Sequence, residues 1–462
     1  MDLRLSLAIL SAKLASKLIR ASGRGGGTAL PGLVAQRVHP DVVSRVSSRL
    51  EDGVFLVSGT NGKTTTSRII AECFVKDGYK VLHNRSGSNL VRGIASSLVD
   101  NSRISGMPTA ELAVFEVDEA SLPGVLSCLT PRSILLTNLF RDQLDRYGEI
   151  DTVRKRWVEV ISKLPSEVTL IVNADDPSLV SIARQVNCRV IYYGLNDNEV
   201  AMHDLPHAAD AVFCPDCGGG LLYSSVYVSH MGNYCCLNCG FSRPALDYEA
   251  RGIQFNGVRS VSFELHHSQS ILHLDLPLPG LYNVYNALAA CSLVMEAGVE
   301  AYLVEQTIRS FEAAFGRFER VKVGDKQIVL ALIKNPVGCN EVLRMFSYDD
   351  STDPILIAIN DNFADGRDVS WLWDADFEML ASRNSPFVVS GIRGADMALR
   401  LKYAGVDPSN IHLVERLEDA LDRSLSLTSS GGELRVMPTY TAMLDLRRIM
   451  SSRGWVDPYW ED

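Results

Sequence analysis

A chain of 462 residues, at about 100–200 residues per domain, holds roughly two to four domains with ample material for buried cores. With 46% hydrophobic and 22% charged residues, 34 Gly and 18 Pro, it has the composition of a soluble globular protein, which excludes a disordered, collagenous or membrane-spanning class. Its 45 Lys and Arg against 55 Asp and Glu leave a net charge of −10 with no long basic run, so a general electrostatic grip on nucleic acid is not expected.

The N-terminal stretch MDLRLSLAILSAKLASKLIRASGRGGG spaces apolar residues roughly as a helix does. It interrupts them with Arg4, Lys13, Lys17 and Arg20, so it is neither a signal-peptide core nor a spanning helix. It reads as a helix packed on the body or as a basic amphipathic helix resting on a membrane surface, in a cytoplasmic protein. After the Gly-rich break at Gly23–Gly27, the apolar run Val54–Val57 leads through Ser58-Gly-Thr-Asn-Gly-Lys-Thr-Thr65 into a helical pattern from Thr65 to Lys76: strand, loop, helix. Further apolar runs at 80–82, 112–115, 133–137, 169–172 and 190–193 alternate with helix-like stretches, the pattern of a mostly parallel α/β sheet.

From Pro206 to Pro244 the chain turns to Cys, Gly and aromatic residues, a small insertion, followed by period-two antiparallel strands around 253–255, 261–265 and 271–274. A helix begins near Asn283. Beyond Gly316–Arg320 a second α/β series runs through 327–333, 355–359, 387–389 and 411–414. The expected organisation is an N-terminal helical segment over 1–50, a central nucleotide-binding domain over 51–318 carrying an insertion at 206–244, and a doubly wound α/β domain over 319–462.

The loop Gly59, Thr60, Asn61, Gly62, Lys63, Thr64, Thr65 has what a nucleoside triphosphate requires. Glycines let backbone N–H groups approach phosphates, a lysine offsets their charge, and hydroxyls meet Mg²⁺ at a helix N-terminus. Val57 stands where the strict Walker spacing has its first Gly, so this is a shorter loop type.

That loop resembles the one carried by the Mur ligase superfamily, whose members join an ATP-activated carboxylate to an amine. Other segments resemble the same family in order. Glu116 in FEVDE matches the acidic Mg²⁺ ligand, and Asn138, Asp142, Asp145 and Arg146 in TNLFRDQLDRYGE resemble N-x-x-x-D-H-x-D-R. NADDP at 173–177 resembles N-x-D-D, Asn283 and Asn286 resemble the N-x-x-N that meets adenine, and Arg317 in GRFERV resembles the phosphate-sensing arginine. Singly, Glu116 and Asp118 also read as surface carboxylates, Asn283 as a helix N-cap and Arg317 as an ion-pairing residue; their order carries the resemblance.

Departures narrow the reading. Gln143 replaces the motif's His, no Lys lies at the spacing of the carbamylated lysine, and D-Y-A-H-N-P is Ala331-Leu-Ile-Lys-Asn-Pro336. About 50 residues precede the loop, too few for the domain that grips a uridine nucleotide.

Five of the ten cysteines crowd one window. Cys214-Pro-Asp-Cys217 and Cys236-Leu-Asn-Cys239 have the spacing of a four-cysteine zinc site, with a structural role; a redox dithiol is the alternative. The C-x-x-C spacing favours Cys236 as the ligand and leaves Cys235 a packed thiol. After the strand Ile355–Ile359 comes Asn360-Asp-Asn-Phe-Ala-Asp-Gly-Arg-Asp368-Val-Ser-Trp-Leu-Trp-Asp374, where Asp368 reads either as a helix cap or as a functional carboxylate.

Together, a Mur core without a uridine-nucleotide domain, a four-cysteine ribbon, KNPVG and N-D-N-x-A-D-G-R-D-x-S-W-x-W-D resemble the MurT family over nearly the whole chain. The resemblance implies an ATP-, Mg²⁺- and zinc-containing ligase subunit that phosphorylates the α-carboxylate of D-Glu in lipid II and directs ammonia onto it, with Lys63 and Glu116 in the reaction. It implies a partner, a GatD-like class I glutamine amidotransferase, whose Cys-His pair Asp368 completes. The substrate would lie at the inner face of the cytoplasmic membrane. The rival readings are a freestanding Mur-type or folylpolyglutamate-type amino-acid ligase and a non-catalytic nucleotide-binding subunit.

Overall fold

The computed structural model describes residues 2–21, 29–84, 89–141, 150–202, 204–206, 209–312, 317–347 and 351–457. The first sheet contains β1 (Gly53–Ser58), β2 (Val81–His83), β3 (Leu112–Val117), β4 (Ser133–Leu136), β5 (Thr169–Asn173) and β6 (Arg189–Leu195). After the two-stranded hairpin β7 (Leu221–Val228) and β8 (Met231–Cys236), β9 (Tyr248–Asn256), β10 (Ser260–His267) and β11 (Ser270–Leu276) complete it, in the order β11-β10-β9-β6-β5-β4-β1-β3-β2.

The central strands are continuous apolar runs because both faces are covered. Phe55, Val57, Val114, Leu135 and Ile171 point into one core, shared with the helices Lys63–Lys76 and Leu281–Glu296. Val54, Leu56, Ala113, Phe115 and Ile134 point into the other, shared with Leu3–Ala21, Val91–Asp100 and Ile150–Ile161. β9 pairs parallel with β6 and then β10 and β11 return antiparallel, so the strands after the insertion extend this sheet. The helix after β1 lies on one face and the helix after β4 on the other, which opens a crevice at the carboxyl ends of these neighbouring strands.

The second sheet, β12 (Arg317–Val323), β13 (Lys326–Ala331), β14 (Ile355–Ala358), β15 (Phe387–Ser390), β16 (Ile411–Leu413) and β17 (Glu433–Pro438), has the order β12-β13-β17-β14-β15-β16. Only β12 is antiparallel within it. Its two faces are buried by Pro336–Ser347 on one side and by Leu417–Leu427 and Tyr440–Ser452 on the other. At the entry to this sheet β12 bulges, and Phe318 takes φ +61°, a strained conformation for a bulky residue. Among the described residues no helix is long and apolar enough to cross a membrane.

Candidate active site and metal centre

The loop after β1 is built by its neighbours as much as by its own residues. Gly59 (φ +138°) passes so close to β4 that a Cβ there would stand 2.2 Å from Thr137 Oγ1. At Gly62 (φ +87°) a Cβ would meet Asn286 Oδ1 at 2.1 Å. Asn138 grips the loop between them: its Oδ1 accepts from Asn61 N–H (2.8 Å) and its Nδ2 donates to Asn61 O (3.1 Å). Thr137 Oγ1 donates to the same carbonyl (2.8 Å). Gly62 then starts the helix Lys63–Lys76, and no side chain caps it, which suits an anion-binding helix start.

Lys63 is buried, its ammonium donating to the carbonyls of Gly59 and Thr60 and to Glu119 Oε2 at 2.9 Å. Burial opposes its charge, but Glu119 and Glu116 hold its pKa above the ordinary lysine value. Burial likewise opposes ionisation of Glu119, and the Lys63 ammonium overrides it, so the carboxyl sits below its usual range. Glu119 is fixed from behind, where Trp157 Nε1 donates to its carbonyl (2.8 Å). One residue along the helix, Thr64 Oγ1 donates to Glu116 Oε2 (2.7 Å). Glu116 lies at the end of β3 in register with Val57, and Asn84 clamps it through both its backbone N–H and its carbonyl. Nearby His83, held near a pKa of about 4 by burial, is a neutral imidazole at Ser67 Oγ (3.1 Å).

Asn283 and Asn286 come to the same place on the helix Leu281–Glu296. Asn283 lies inside the first turn, after the N-cap Gly280, and donates to Pro279 O. That corrects the capping reading. Asn286 Nδ2 donates to Asn283 Oδ1 (3.1 Å), leaving its Oδ1 against Gly62. Arg317 opens β12 opposite Ala331. Asp142, Gln143, Asp145 and Arg146 lie outside the described residues.

Three residues beyond the expected set belong to this site. Glu119 was legible only as one of three acids in FEVDE. Lys334 and Asn335, from the KNP segment after β13, reach across from the second domain: Lys334 Nζ lies 3.5 Å from Thr60 O, and Asn335 pairs with Asn61. Their signal was the departure from D-Y-A-H-N-P.

The four sulfurs of Cys214, Cys217, Cys236 and Cys239 lie within 4.8 Å of one another, with 3.6 Å between Cys214 and Cys239 and 3.5 Å between Cys217 and Cys236. Thiolates at about 2.3 Å from a tetrahedral zinc stand ~3.8 Å apart, so the set fits that ion. Cys235 is outside the cluster, on β8 opposite Leu222.

The ribbon docks on the NADDP segment. Gly232 N–H donates to Asp175 O (2.9 Å) and Tyr234 OH to Ala174 O (3.1 Å). Asp175 is fully buried between Arg243 Nε (2.7 Å), Tyr285 OH (2.6 Å) and Leu195 N–H (2.8 Å). Asp176 caps Pro177–Ala183 and accepts from Leu139 N–H (2.7 Å), next to Asn138. Cysteine ribbon and phosphate loop are therefore linked by an unbroken run of short contacts.

Asp368 is exposed. Its Oδ1 accepts from Ser370 N–H (2.8 Å) at a short 3₁₀ turn, Ser370–Trp373, and bonds from the Ser370 hydroxyl and N–H lower its pKa. Phe363, Trp373 and Tyr403 are exposed in the same region, the last two with ring centroids 5.8 Å apart.

Residues 57–213 match the Mur ligase middle domain, and residues 332–443 match the MurT ligase C-terminal family. The chain is 35% identical over 439 residues to the lipid II isoglutaminyl synthase (glutamine-hydrolyzing) subunit MurT of Staphylococcus aureus strain N315, spanning 94% of this chain and 95% of that one. To the same-named subunit of Streptococcus pneumoniae strain R6 it is 33% identical over 460 residues, 98% of each chain. Among solved structures, a pseudomurein peptide ligase type C from Methanothermus fervidus superposes with a TM-score of 0.67 at 19% identity, over 88% of this chain and 80% of that one. MurF from Acinetobacter baumannii gives 0.64 at 16%, over 89% and 78%. At those identities the structural likeness establishes the fold.

Proposed function

Because the chain belongs to the MurT family of Mur-type ATP-dependent ligases, we propose that it is the ligase subunit that converts the α-carboxylate of D-Glu in the lipid II stem peptide to the amide. The observation carrying this is the convergence of Lys63, Thr64 and Glu116 on one buried loop, met by Lys334 and Asn335 from the second domain. A scaffold that only bound nucleotide would have no need of a lysine, a metal-ligating pair and a second-domain contact on the same loop.

A carboxylate is a poor acyl donor. Its oxygen attacks the γ-phosphorus of ATP, ADP leaves, and the acyl phosphate then accepts ammonia at its carbonyl carbon, the nitrogen's surplus proton leaving with the inorganic phosphate. Lys63 offsets charge on the transferred phosphoryl group, whose oxygens compete with the Gly59 and Thr60 carbonyls for its ammonium. Thr64 and Glu116 would hold Mg²⁺ through hard oxygen ligands, and the ion would neutralise phosphate charge. Gly59, Thr60, Asn61, Gly62 and Thr65 cradle the phosphates, Asn283 and Asn286 meet the adenine, and Arg317 senses the phosphate. Cys214, Cys217, Cys236 and Cys239 would hold zinc in a structural role, since four thiolates would fill a tetrahedral ion's positions.

The relatives are named as subunits of a glutamine-hydrolysing synthase, which implies a partner. We assign that partner as a GatD-like class I glutamine amidotransferase delivering ammonia, with Asp368 orienting its catalytic histidine. The ionised, exposed carboxylate and the neighbouring exposed aromatics support this. A lipid-linked substrate would hold the complex at the inner face of the cytoplasmic membrane.

The test is turnover by the purified chain with ATP, Mg²⁺ and lipid II. Amide formation with ammonium, and with glutamine once the partner is added, is expected. Acceptance of amino acids in place of ammonia would favour a freestanding amino-acid ligase instead.

A further inference from the structure

The helix Leu3–Ala21 is apolar on two opposite sides. Leu5, Ala8, Ile9 and Ala12 are completely buried, and Leu5, Ile9 and Ala12 belong to a core that also holds Ala35, Ile94 and Leu98. Hydrogen bonds fix that orientation: Arg4 Nε to Val38 O (2.8 Å), Lys13 Nζ to Asp100 O (3.2 Å) and Ser16 Oγ to Asp100 Oδ1 (2.9 Å). The outer side cannot rotate inward. On it Leu3, Leu7, Leu10, Leu14 and Leu18 stand between 42% and 75% exposed. Their spacing of three or four residues aligns them in a single stripe about 22 Å long.

Five leucines in a row facing water exceed the scattered apolar exposure of a soluble surface. The charge beside them identifies what covers them. On the helical wheel Arg4 and Lys17 flank the stripe on opposite sides, and both are exposed. The helix contains no acidic residue. Among the first 40 residues there are six Lys and Arg and one acid, Asp2, which is engaged with Leu5 N–H (3.1 Å) and His39 (3.5 Å). The whole chain carries −10, so the cations flanking the stripe stand on an acidic protein. A second copy packed on the stripe would set basic flanks against basic flanks with no acid to meet them.

We propose that the Leu3–Leu18 stripe is a membrane-docking surface for an anionic phospholipid bilayer. The leucines enter the boundary between headgroups and acyl chains, and Arg4 and Lys17 meet lipid phosphates. The spanning class stays excluded, because the inner side of the helix remains packed on the protein. The surface deepens the reading of a lipid-linked substrate and for its purpose rests on it, although its geometry stands alone.

Full-length protein, with and without the glutaminase partner, is sedimented with vesicles of phosphatidylglycerol and phosphatidylcholine in equal parts and with phosphatidylcholine alone. Binding to the anionic vesicles that weakens with salt is expected, with loss of about a hundredfold in Leu7→Gln/Leu14→Gln and a smaller loss in Lys17→Glu. Both variants lie on exposed positions, and their unchanged melting temperature keeps the comparison valid; Lys17→Glu alone suffices if the double variant does not fold. Wild-type binding equal to that of the variants overturns the proposal. So does a dimer in solution that the double variant dissolves without any vesicle binding. A soluble stem-peptide substrate lacking the polyprenyl chain should be amidated equally by wild type and double variant. Vesicle binding without amidation of any stem peptide would overturn the functional reading and leave the surface standing.

Discussion

The side-chain amides of Asn61 and Asn335, 274 residues apart, bond to each other: Asn335 Nδ2 donates to Asn61 Oδ1 at 3.1 Å, and Asn61 Nδ2 lies 3.5 Å from Asn335 Oδ1. The pair ties the phosphate loop to the second domain, beside the approach of Lys334 to Thr60. Asn335→Ala removes the tie, and kcat/KM for ATP should fall about five- to tenfold, the worth of one partly buried hydrogen bond. Steady-state kinetics at varied ATP checks this, and an unchanged kcat/KM would show that the contact does not support the active arrangement.

Lys63→Ala should lower ligase turnover by at least about a hundredfold, because Lys334, the other ammonium near the loop, reaches it from the second domain at Thr60 and not from the buried position of Lys63. It should also destabilise the fold by roughly 2–4 kcal/mol, since buried Glu119 loses its hydrogen-bonded cation. The sign with pH follows from Glu119. Its folded pKa lies below the unfolded value, so the pair's contribution is present above the ordinary carboxylate range and lost as pH falls through the folded pKa. The stability gap between variant and wild type should therefore shrink on acidification. Glu119→Gln added to Lys63→Ala should recover the melting temperature without recovering turnover.

The protein should contain about one zinc per chain, and Cys214→Ser/Cys217→Ser should lose it. Because Gly232 and Tyr234 of the ribbon bond to Asp175 and Ala174, and Asp176 supports Leu139 beside the loop, metal loss should lower the melting temperature and weaken ATP binding together. Elemental analysis with nucleotide titration checks it; full zinc content in the double variant would refute the ligand set.

Asp368→Asn separates the two readings of that residue. Asn accepts the Ser370 N–H bond about as well as Asp, but carries no charge to support a partner's imidazolium. Glutamine-dependent amidation should collapse while ammonium-dependent amidation persists. Retention of both would leave Asp368 a turn residue.

Glu341, buried on the helix Pro336–Ser347, has its pKa pushed up to about 7 by burial, with Arg344 only partly opposing. Between its unfolded value and about 7 the native state holds a proton that the unfolded chain does not. Stability should fall as pH rises through that window and level off above it. Glu341→Gln should be neutral near pH 5 and stabilising by ~3 kcal/mol near pH 8. Thermal melts across that range, with no pH-dependent difference between the two proteins, would refute it.

The sequence alone determined whatever depends on neighbours in the chain. The apolar run before Ser58, the glycines around Asn61 and the hydroxyls after Lys63 are contiguous, so strand, phosphate loop and helix were legible together. Two C-x-x-C knuckles marked out the four-cysteine cluster because both halves are local turns. The tertiary structure decided what depends on meeting across distance. Glu119 became the partner of Lys63 when β3 paired with β1, and Asn335 the partner of Asn61 when the second domain packed against the crevice. It also decided that β9 continues the central sheet beyond the ribbon. The N-terminal helix shows the limit most plainly: its leucines recur on both sides, and burial of Leu5 and Ile9 against the body is what left Leu7 and Leu14 facing outward. Periodicity names the faces of a helix, and packing chooses which of them meets the core.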